Sequence, residues 1–124
     1  MSDAAITAMV PLAHVSDMAL ALAFYEKLGL EIANSVTPRN GDMPNWVSLR
    51  SGRAELMLAL ATEPISAEQQ GVLLYTYCAQ IDLTHAALTD AGLSPGEIAR
   101  PFYNPGGEFR LIDPDGYVIY VAQI

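Results

Sequence analysis

The order of predicted elements in this chain occurs twice, and the two copies lie 63 residues apart, as positions 29 and 92 show. Each of two predicted helices ends at a glycine, in Leu28-Gly29-Leu30 and in Ala91-Gly92-Leu93. Glycine at this place readily takes the left-handed conformation that closes a helix. The same shift places Met57 over Tyr120. Residue identity between the copies is low, so the repeat consists of matching elements at one spacing and predicts one structural unit used twice.

Each copy predicts a module of β-α-β-β-β order, and the fold class is α+β. The first module covers residues 6–61, with strands over 6–15, 30–36, 46–49 and 55–60 and a helix over 18–28 that Ser16 or Asp17 caps. A linker over residues 62–71 follows. The second covers residues 72–124, with strands over 72–81, 97–103 and 108–112, a helix over 83–91 that Asp82 caps, and a last strand. Two short sheets with one helix each leave their other faces to form an open barrel-like cleft.

The turn Asp113-Pro114-Asp115-Gly116 determines which side chains of that last strand share a face. Proline presets one central φ angle of the turn, and Asp and Gly tolerate the conformations that follow. Strand residues alternate between faces, and a slip of one residue would turn every side chain over. We therefore expect Tyr120 to share a face with Val118 and Ala122.

The bulk properties of the chain exclude several classes of protein. Its 124 residues are 52% hydrophobic and 16% charged, which is typical of a single globular domain over residues 1–124. A net charge of −8 argues against nucleic acid as a partner and mildly favours neutral or cationic ligands. No apolar run approaches the roughly 18 residues of a membrane span, and Met1-Ser2-Asp3-Ala4-Ala5 lacks the basic and apolar regions of a signal peptide. The lone Cys78 is interpreted as a core residue and favours a cytoplasmic location.

Five sequence motifs together resemble a known family. They are Val15-Ser16-Asp17, Phe24-Tyr25, Leu28-Gly29-Leu30-Glu31, Gly52 with Glu55-Leu56-Met57-Leu58, and Asp113-Pro114-Asp115-Gly116. In this order and spacing they resemble the vicinal oxygen chelate superfamily, which includes glyoxalase I, extradiol dioxygenases, fosfomycin-resistance enzymes and bleomycin-resistance proteins. The resemblance covers nearly the whole chain. It implies paired β-α-β-β-β modules around an open barrel-like cavity, commonly in a homodimer.

The resemblance also implies four positions at which enzymes of the family hold a divalent metal. These positions carry Val10, Met57, Leu73 and Tyr120 here, and none of them is a usual ligand for such a site. His14 shares the parity of Val10 but lies roughly 13 Å further along the strand, so we expect a polar residue at the cleft rim. We therefore expect no metal and no other cofactor.

Strand alternation predicts the lining of the cleft. The expected residues are Val10, Leu12, Met57, Ala59, Leu73, Tyr75, Tyr77, Val118 and Tyr120. The alternative for each of them is an ordinary place in the hydrophobic core. Glu108 and Arg110 should face the same way, because Phe109 and Leu111 between them should pack on the second helix. The two charged side chains could form an ion pair with each other, contact a ligand, or lie in solvent at the end of the strand. Trp46 could stack a flat ligand, although parity leaves its side open and we favour core, and His85 is expected on the solvated surface of its helix.

An apolar, tyrosine-rich cleft with few polar groups is typical of a small-molecule pocket. The expected ligand-binding residues are Leu12, His14, Met57, Tyr75, Tyr77, Glu108, Arg110 and Tyr120. The outline is similar to the bleomycin-resistance branch, which sequesters a cationic drug in its dimer cleft without chemistry. A metal-independent binding protein is therefore the first hypothesis. The second is an enzyme, either a lyase or dioxygenase with rearranged metal ligands or a metal-free catalyst that uses Tyr120, His14 or Glu108. The third is a regulatory or structural subunit.

Overall fold

The computed structural model describes residues 4–124, so the prediction that residues 1–3 begin no signal peptide lies outside the described residues. Residues 4–124 form seven strands and two α-helices in the order β1 (Leu12–Val15), α1 (Met18–Lys27), β2 (Glu31–Val36), β3 (Trp46–Ser51), β4 (Ala54–Leu60), β5 (Leu73–Cys78), α2 (Ile81–Asp90), β6 (Glu108–Ile112) and β7 (Val118–Gln123). A short 3-10 helix, Ala67–Gln69, lies in the segment between β4 and β5. Neither of the α-helices, nor any other helix within these residues, is long and apolar enough to span a bilayer.

The strands form two mixed sheets whose pairing repeats the spacing of 63. The first sheet has the order β1-β4-β3-β2 and the second has the order β5-β7-β6. In the parallel pair of the first sheet Leu12 lies opposite Met57, and in that of the second Tyr75 lies opposite Tyr120. Tyr75 lies 63 positions after Leu12, and Tyr120 lies 63 positions after Met57, so the strand register confirms the repeat predicted from the sequence.

Both helices end in the same hydrogen-bonded motif. The Leu30 N–H donates to the Tyr25 carbonyl at 3.2 Å, and the Leu93 N–H donates to the Leu88 carbonyl at 3.0 Å. The glycines that precede these leucines have φ angles of 95° and 92°. L-residues with a side chain rarely adopt such angles, which explains the glycine at this place in each module.

The two helices begin differently. The Asp17 carboxylate accepts the Leu20 N–H at 3.0 Å, as predicted for the cap of α1. Helix α2 begins at Ile81, so the prediction that Asp82 caps it is wrong; Asp82 lies in the first turn and points to solvent. The side chain of Gln123, on β7, takes over this role, because its Oε1 accepts the Ile81 N–H at 2.8 Å.

Two predicted strands differ from the structure: one is replaced by an isolated bridge and the other is shorter. Both differences occur at prolines. The predicted strand over residues 97–103 is wrong, since this segment makes one isolated bridge, between Ala99 and Glu108, and then turns at Pro101. Proline lacks the N–H that would continue the pairing. The first strand begins at Leu12, just after Pro11, and not at residue 6. The second sheet consequently has three strands where the first has four.

The helix-facing side chains of both sheets belong to one continuous core. Its fully buried members include Val15, Tyr25, Val47, Leu49, Leu58, Phe109, Leu111 and Ile119. Polar contacts also join the modules near this core: the Tyr25 hydroxyl donates to the Asp113 carboxylate at 2.7 Å, and the Ser16 N–H donates to Asp115 at 3.0 Å. The sheets are not closed into a barrel, so each keeps one face outside the shared core.

Candidate functional site

The site is built on the sheet faces that point away from the helices, which we call the first and second open faces. Residues directly opposite each other in neighbouring strands share a face, so the register assigns the members. The first open face carries Leu12, His14, Trp46, Ser48, Met57 and Ala59. The second open face carries Leu73, Tyr75, Tyr77, Glu108, Arg110, Val118, Tyr120 and Ala122.

The predicted ligand-binding residues are therefore divided between two surfaces. Leu12, His14 and Met57 lie on the first open face. The other predicted residues, Tyr75, Tyr77, Glu108, Arg110 and Tyr120, lie on the second. The sequence leaves open whether the two modules around a cleft come from one chain or from two. In this chain the helix sides of the sheets join in the core and the sheets are not closed into a barrel.

His14 lies beside a groove formed with the segment between the modules. The groove has a volume of about 350 Å³ and is lined by His14, Tyr117 and residues 61–66, 69 and 70. The Tyr117 hydroxyl donates to the His14 backbone carbonyl at 2.9 Å. His14 is exposed near the end of β1. The groove beside it is lined by residues other than those of the second open face.

The surroundings of Trp46 and His85 differ from those predicted. Trp46 lies opposite Ala59 and is half-buried on the first open face, so the preference for core was wrong. His85 is not fully solvated: its Nε2 is 2.9 Å from the Gly96 carbonyl, and its ring meets that of Phe109 edge to face at 4.9 Å. The register of β3, which periodicity alone left undetermined, decides the side of Trp46.

The second open face presents a pair of stacked tyrosines. The rings of Tyr75 and Tyr120 lie 4.9 Å apart, centroid to centroid, with an angle of 9° between their planes. Strand register produces this pair, since the two residues lie opposite each other in β5 and β7. The side chain of Tyr75 is 46% exposed, so a flat molecule has direct access to an aromatic surface.

Glu108 is a buried carboxylate beside this pair, although it lies on an open face. Only 5% of the residue is exposed. Its Oε2 atom accepts a hydrogen bond from the Tyr103 hydroxyl at 3.2 Å. Its backbone N–H and carbonyl both pair with Ala99, at 2.9 and 2.8 Å, which holds the base of the side chain in place.

Tyr103 is a site residue that the sequence analysis missed. It precedes the turn Asn104-Pro105-Gly106-Gly107, in which the Gly107 N–H donates to the Asn104 carbonyl at 3.0 Å. This turn brings the Tyr103 hydroxyl back over Glu108. The sequence carries one signal for Tyr103: it is an aromatic residue immediately before the turn that leads to Glu108. The prediction of a strand over residues 97–103 hid this signal.

The Glu108 carboxylate also changes the acidity of nearby phenols. Desolvation, followed by the negative charge of Glu108, raises the pKa of Tyr75 above its ordinary value. The same two causes, in the same order, raise the pKa of Tyr103. Both phenols therefore stay protonated at neutral pH and are available as hydrogen-bond donors.

The residues at the four metal positions do not fit the divalent ion that the family resemblance implies. Val10 and Leu73 end in alkyl groups, which have no electron pair to donate. A catalytic zinc site, for example, takes about three protein ligands that are nitrogen, oxygen or thiolate atoms. Across residues 4–124, no group of three or more His, Cys, Asp or Glu side chains is placed to hold a metal ion.

Comparison with known proteins links the fold to one family. Residues 9–121 match the family model described as Glyoxalase/Bleomycin resistance protein/Dioxygenase superfamily. No curated protein sequence matches the chain significantly.

Several solved structures share the fold over nearly their whole length. A bleomycin-binding protein complexed with bleomycin has a TM-score of 0.74 and 17% identity, over 96% of this chain and 99% of the other. A bleomycin resistance determinant encoded on the transposon Tn5 has a TM-score of 0.76 and 17% identity, over 95% and 98%. TnmS3, an antibiotic binding protein from Streptomyces sp. CB03234, has a TM-score of 0.73 and 23% identity, over 98% of each chain. At these identities the likeness shows the fold alone.

Proposed function

Because the chain belongs to the glyoxalase/bleomycin resistance protein/dioxygenase superfamily, we propose that it is a metal-independent small-molecule-binding protein that sequesters an apolar or cationic ligand, such as an antibiotic. The single observation that carries this proposal is the accessible stack of Tyr75 and Tyr120 on the second open face, next to the buried Glu108. Aromatic surface with a few fixed polar groups is the usual composition of a ligand pocket.

The remaining predicted residues contribute to the same site if a second copy covers the open faces. Large apolar side chains are exposed there: Leu12 is 44% exposed, Leu73 50% and Tyr77 65%. Apolar patches of this kind mark surfaces that meet another molecule. The first open face of one protomer, with Leu12, His14 and Met57, then lies opposite the second open face of its partner, and the protein is a homodimer with one cleft at each such contact.

Two groups hold the ligand in this proposal. The flat faces of Tyr75 and Tyr120 take its apolar or aromatic part, and the carboxylate of Glu108 favours a positively charged part. The net charge of −8 raises the local concentration of cations and disfavours anions. The bleomycin-binding neighbour makes bleomycin a reasonable first probe.

The proposal predicts that truncation of the tyrosine stack weakens ligand binding. Metal-free bleomycin and a neutral hydrophobic dye are titrated into the purified protein by calorimetry or fluorescence. We expect at least one probe to bind, and we expect Tyr75→Ala to weaken that binding about fivefold to tenfold, because a stacked aromatic contact contributes about 1 kcal/mol beyond its buried area. Leu83→Ala is the matched control, since Leu83 is 64% exposed on α2.

Chelation separates this function from its alternative. Treatment with EDTA should leave probe binding unchanged. A stoichiometric divalent metal in the purified protein, with binding or turnover lost on chelation, would contradict the proposal and favour a lyase or dioxygenase with rearranged ligands.

A further inference from the structure

One oxygen of the Glu108 carboxylate has no hydrogen-bond partner. The Oε1 atom is closed off from solvent, and no donor among residues 4–124 reaches it. A buried carboxylate oxygen without a donor is costly, because it has given up its water without replacement. Buried polar atoms in folded proteins are nearly always paired, so an orphan of this kind indicates a group that the chain itself does not supply.

The neighbouring arginine does not supply that group. Arg110 lies two residues further along β6 and shares the second open face, yet its side chain is exposed and makes no ion pair with Glu108. In the described part of the chain the ion pairs are Arg50 with Glu55 and Arg100 with Asp82. The sequence alone leaves open whether Glu108 and Arg110, the two charged residues of β6, form a pair. The structure shows no ion pair between them.

The surroundings of Glu108 suit a cation better than a neutral donor. Two phenols lie near it: Tyr103 through a hydrogen bond, and Tyr75, whose ring stacks on that of Tyr120. The faces of tyrosine rings attract cations through their quadrupole. A carboxylate beside an exposed aromatic stack thus offers a ligand both a formal negative charge and a cation–π surface.

We propose that Glu108 is the specificity-determining residue of this face and that its Oε1 accepts a hydrogen bond from a protonated nitrogen of the ligand. The ligand class is an organic cation, an ammonium or amidinium group on a flat apolar body, with the body lying along Tyr75 and Tyr120. This inference rests on the binding function proposed above and adds to it the atom that selects the ligand, Oε1 of Glu108, and the ligand group that this atom meets.

The test compares two probes of nearly the same shape. Benzamidine is a flat amidinium cation, and benzamide is its neutral counterpart. Each is titrated into the full chain, with the resonances of the tyrosine rings followed by NMR. We expect wild-type protein to prefer benzamidine by about tenfold, since a hydrogen bond to a charged partner contributes about that factor or more.

Variants of Glu108 then identify the carboxylate responsible. Glu108→Gln keeps the size of the side chain and an acceptor for Tyr103, and it should abolish the preference while leaving benzamide binding within about twofold. Glu26→Gln changes the net charge equally at an exposed position on α1 and should leave the preference intact. If Glu108→Gln does not fold, the salt dependence of the wild-type preference decides: a preference caused by net charge alone disappears at high ionic strength, whereas one caused by the buried Glu108 persists.

The outcomes separate this inference from the function on which it rests. Equal affinity for both probes in wild-type protein, or an unchanged preference in folded Glu108→Gln, would overturn the role of Glu108 and leave the binding function standing. Absence of binding by both probes at millimolar concentration, together with failure of the probes in the preceding section, would overturn both.

Discussion

A single phenolic hydroxyl joins the two modules inside the core. Tyr25 is 1% exposed, and its hydroxyl donates to Asp113 at 2.7 Å. Burial, followed by the Asp113 carboxylate, raises the pKa of Tyr25 far above its ordinary value. The other oxygen of Asp113 accepts the backbone N–H groups of Asp115 and Tyr117, both at 2.9 Å. The shape of the turn and the contact between the two halves of the chain therefore depend on the same carboxylate.

Replacing Tyr25 by Phe should destabilise the protein, and more so at neutral than at acid pH. Burial raises the pKa of Asp113 above 3.8, although the bond from Tyr25 lowers it. A carboxyl with a raised folded-state pKa contributes stability that is complete below its unfolded pKa and is lost as pH rises through the folded pKa. Removing the hydroxyl raises the pKa of Asp113 further, so the cost appears only where Asp113 is ionised. We expect a loss of about 1–3 kcal/mol in the free energy of unfolding at neutral pH.

Urea denaturation at neutral pH and at about pH 4 measures this difference. Leu83→Ala is the control, since Leu83 is 64% exposed on α2, away from both open faces, and such surface changes stay within about 0.5 kcal/mol. A penalty for Tyr25→Phe that grows on acidification would contradict the expected direction of the pH dependence.

At the scale of residues, the sequence predicted which side chains of β5, β6 and β7 share a face, but it predicted neither the side of Trp46 nor what covers Glu108. Alternation placed Tyr75, Glu108 and Tyr120 on one face, because strand geometry allows only two directions. The burial of Glu108 could not be predicted, since its cover comes from Tyr103 in a turn. Loop conformation depends on contacts that leave no periodic pattern.

At the scale of elements, the modules differ most in how their helices begin. Helix α1 is capped by Asp17, the residue immediately before it, whereas α2 depends on Gln123 of β7. Gln123 also bonds the Ala79 carbonyl through its Nε2 atom.

Removing either cap should destabilise the protein to a similar extent. We expect Asp17→Ala and Gln123→Ala each to lower the free energy of unfolding by about 1 kcal/mol, because each leaves backbone groups at a helix start without a partner. Asp82→Ala is the control. Its ion pair with Arg100 spans 3.8 Å and is exposed, so it should change stability by less than about 0.5 kcal/mol. Thermal unfolding followed by circular dichroism distinguishes the three variants, and a cost for Asp82→Ala equal to that of Gln123→Ala would contradict the assignment of the cap.

Local signals predicted most elements because they act within a few residues. The cap at Asp17 and the glycines at the two helix ends are signals of this kind. The cap of α2 escaped prediction because its donor and acceptor lie 42 positions apart. The strand predicted over residues 97–103 is wrong, because the prediction gave too little weight to Pro101, which lacks the N–H that would continue the pairing.

At the scale of the whole molecule, the open faces predict a dimer that dissociates when a charge is placed on them. Leu12 is 44% exposed and Leu73 is 50% exposed, on different open faces. We expect light scattering to give twice the mass of one chain for wild-type protein. Leu12→Asp and Leu73→Asp should each give monomers, because a carboxylate is strongly disfavoured in an apolar contact.

The control for this experiment is Leu83→Asp, on the exposed side of α2, which should remain dimeric. Wild-type protein that is monomeric and still binds its probe with full affinity would contradict a cleft shared between copies. Circular dichroism establishes that the variants retain their fold.

The relation between the two sheets was the part of the architecture that the sequence did not predict. The spacing of 63 predicted that the two modules correspond, and the structure shows this correspondence in the parallel pairs, with Leu12 opposite Met57 and Tyr75 opposite Tyr120. The direction in which the open faces turn depends on the packing of α1 and α2 into a shared core. Periodicity describes one element at a time and carries no information about that packing.

The reliance of α2 on Gln123 has a consequence for the order in which the halves acquire structure during synthesis. A ribosome releases the amino-terminal half first, and α1 can then close its start with Asp17, three residues from its partner. The second helix gains its cap only after 42 further residues have emerged and β7 has aligned beside β5. The start of α2 is therefore completed later than the start of α1.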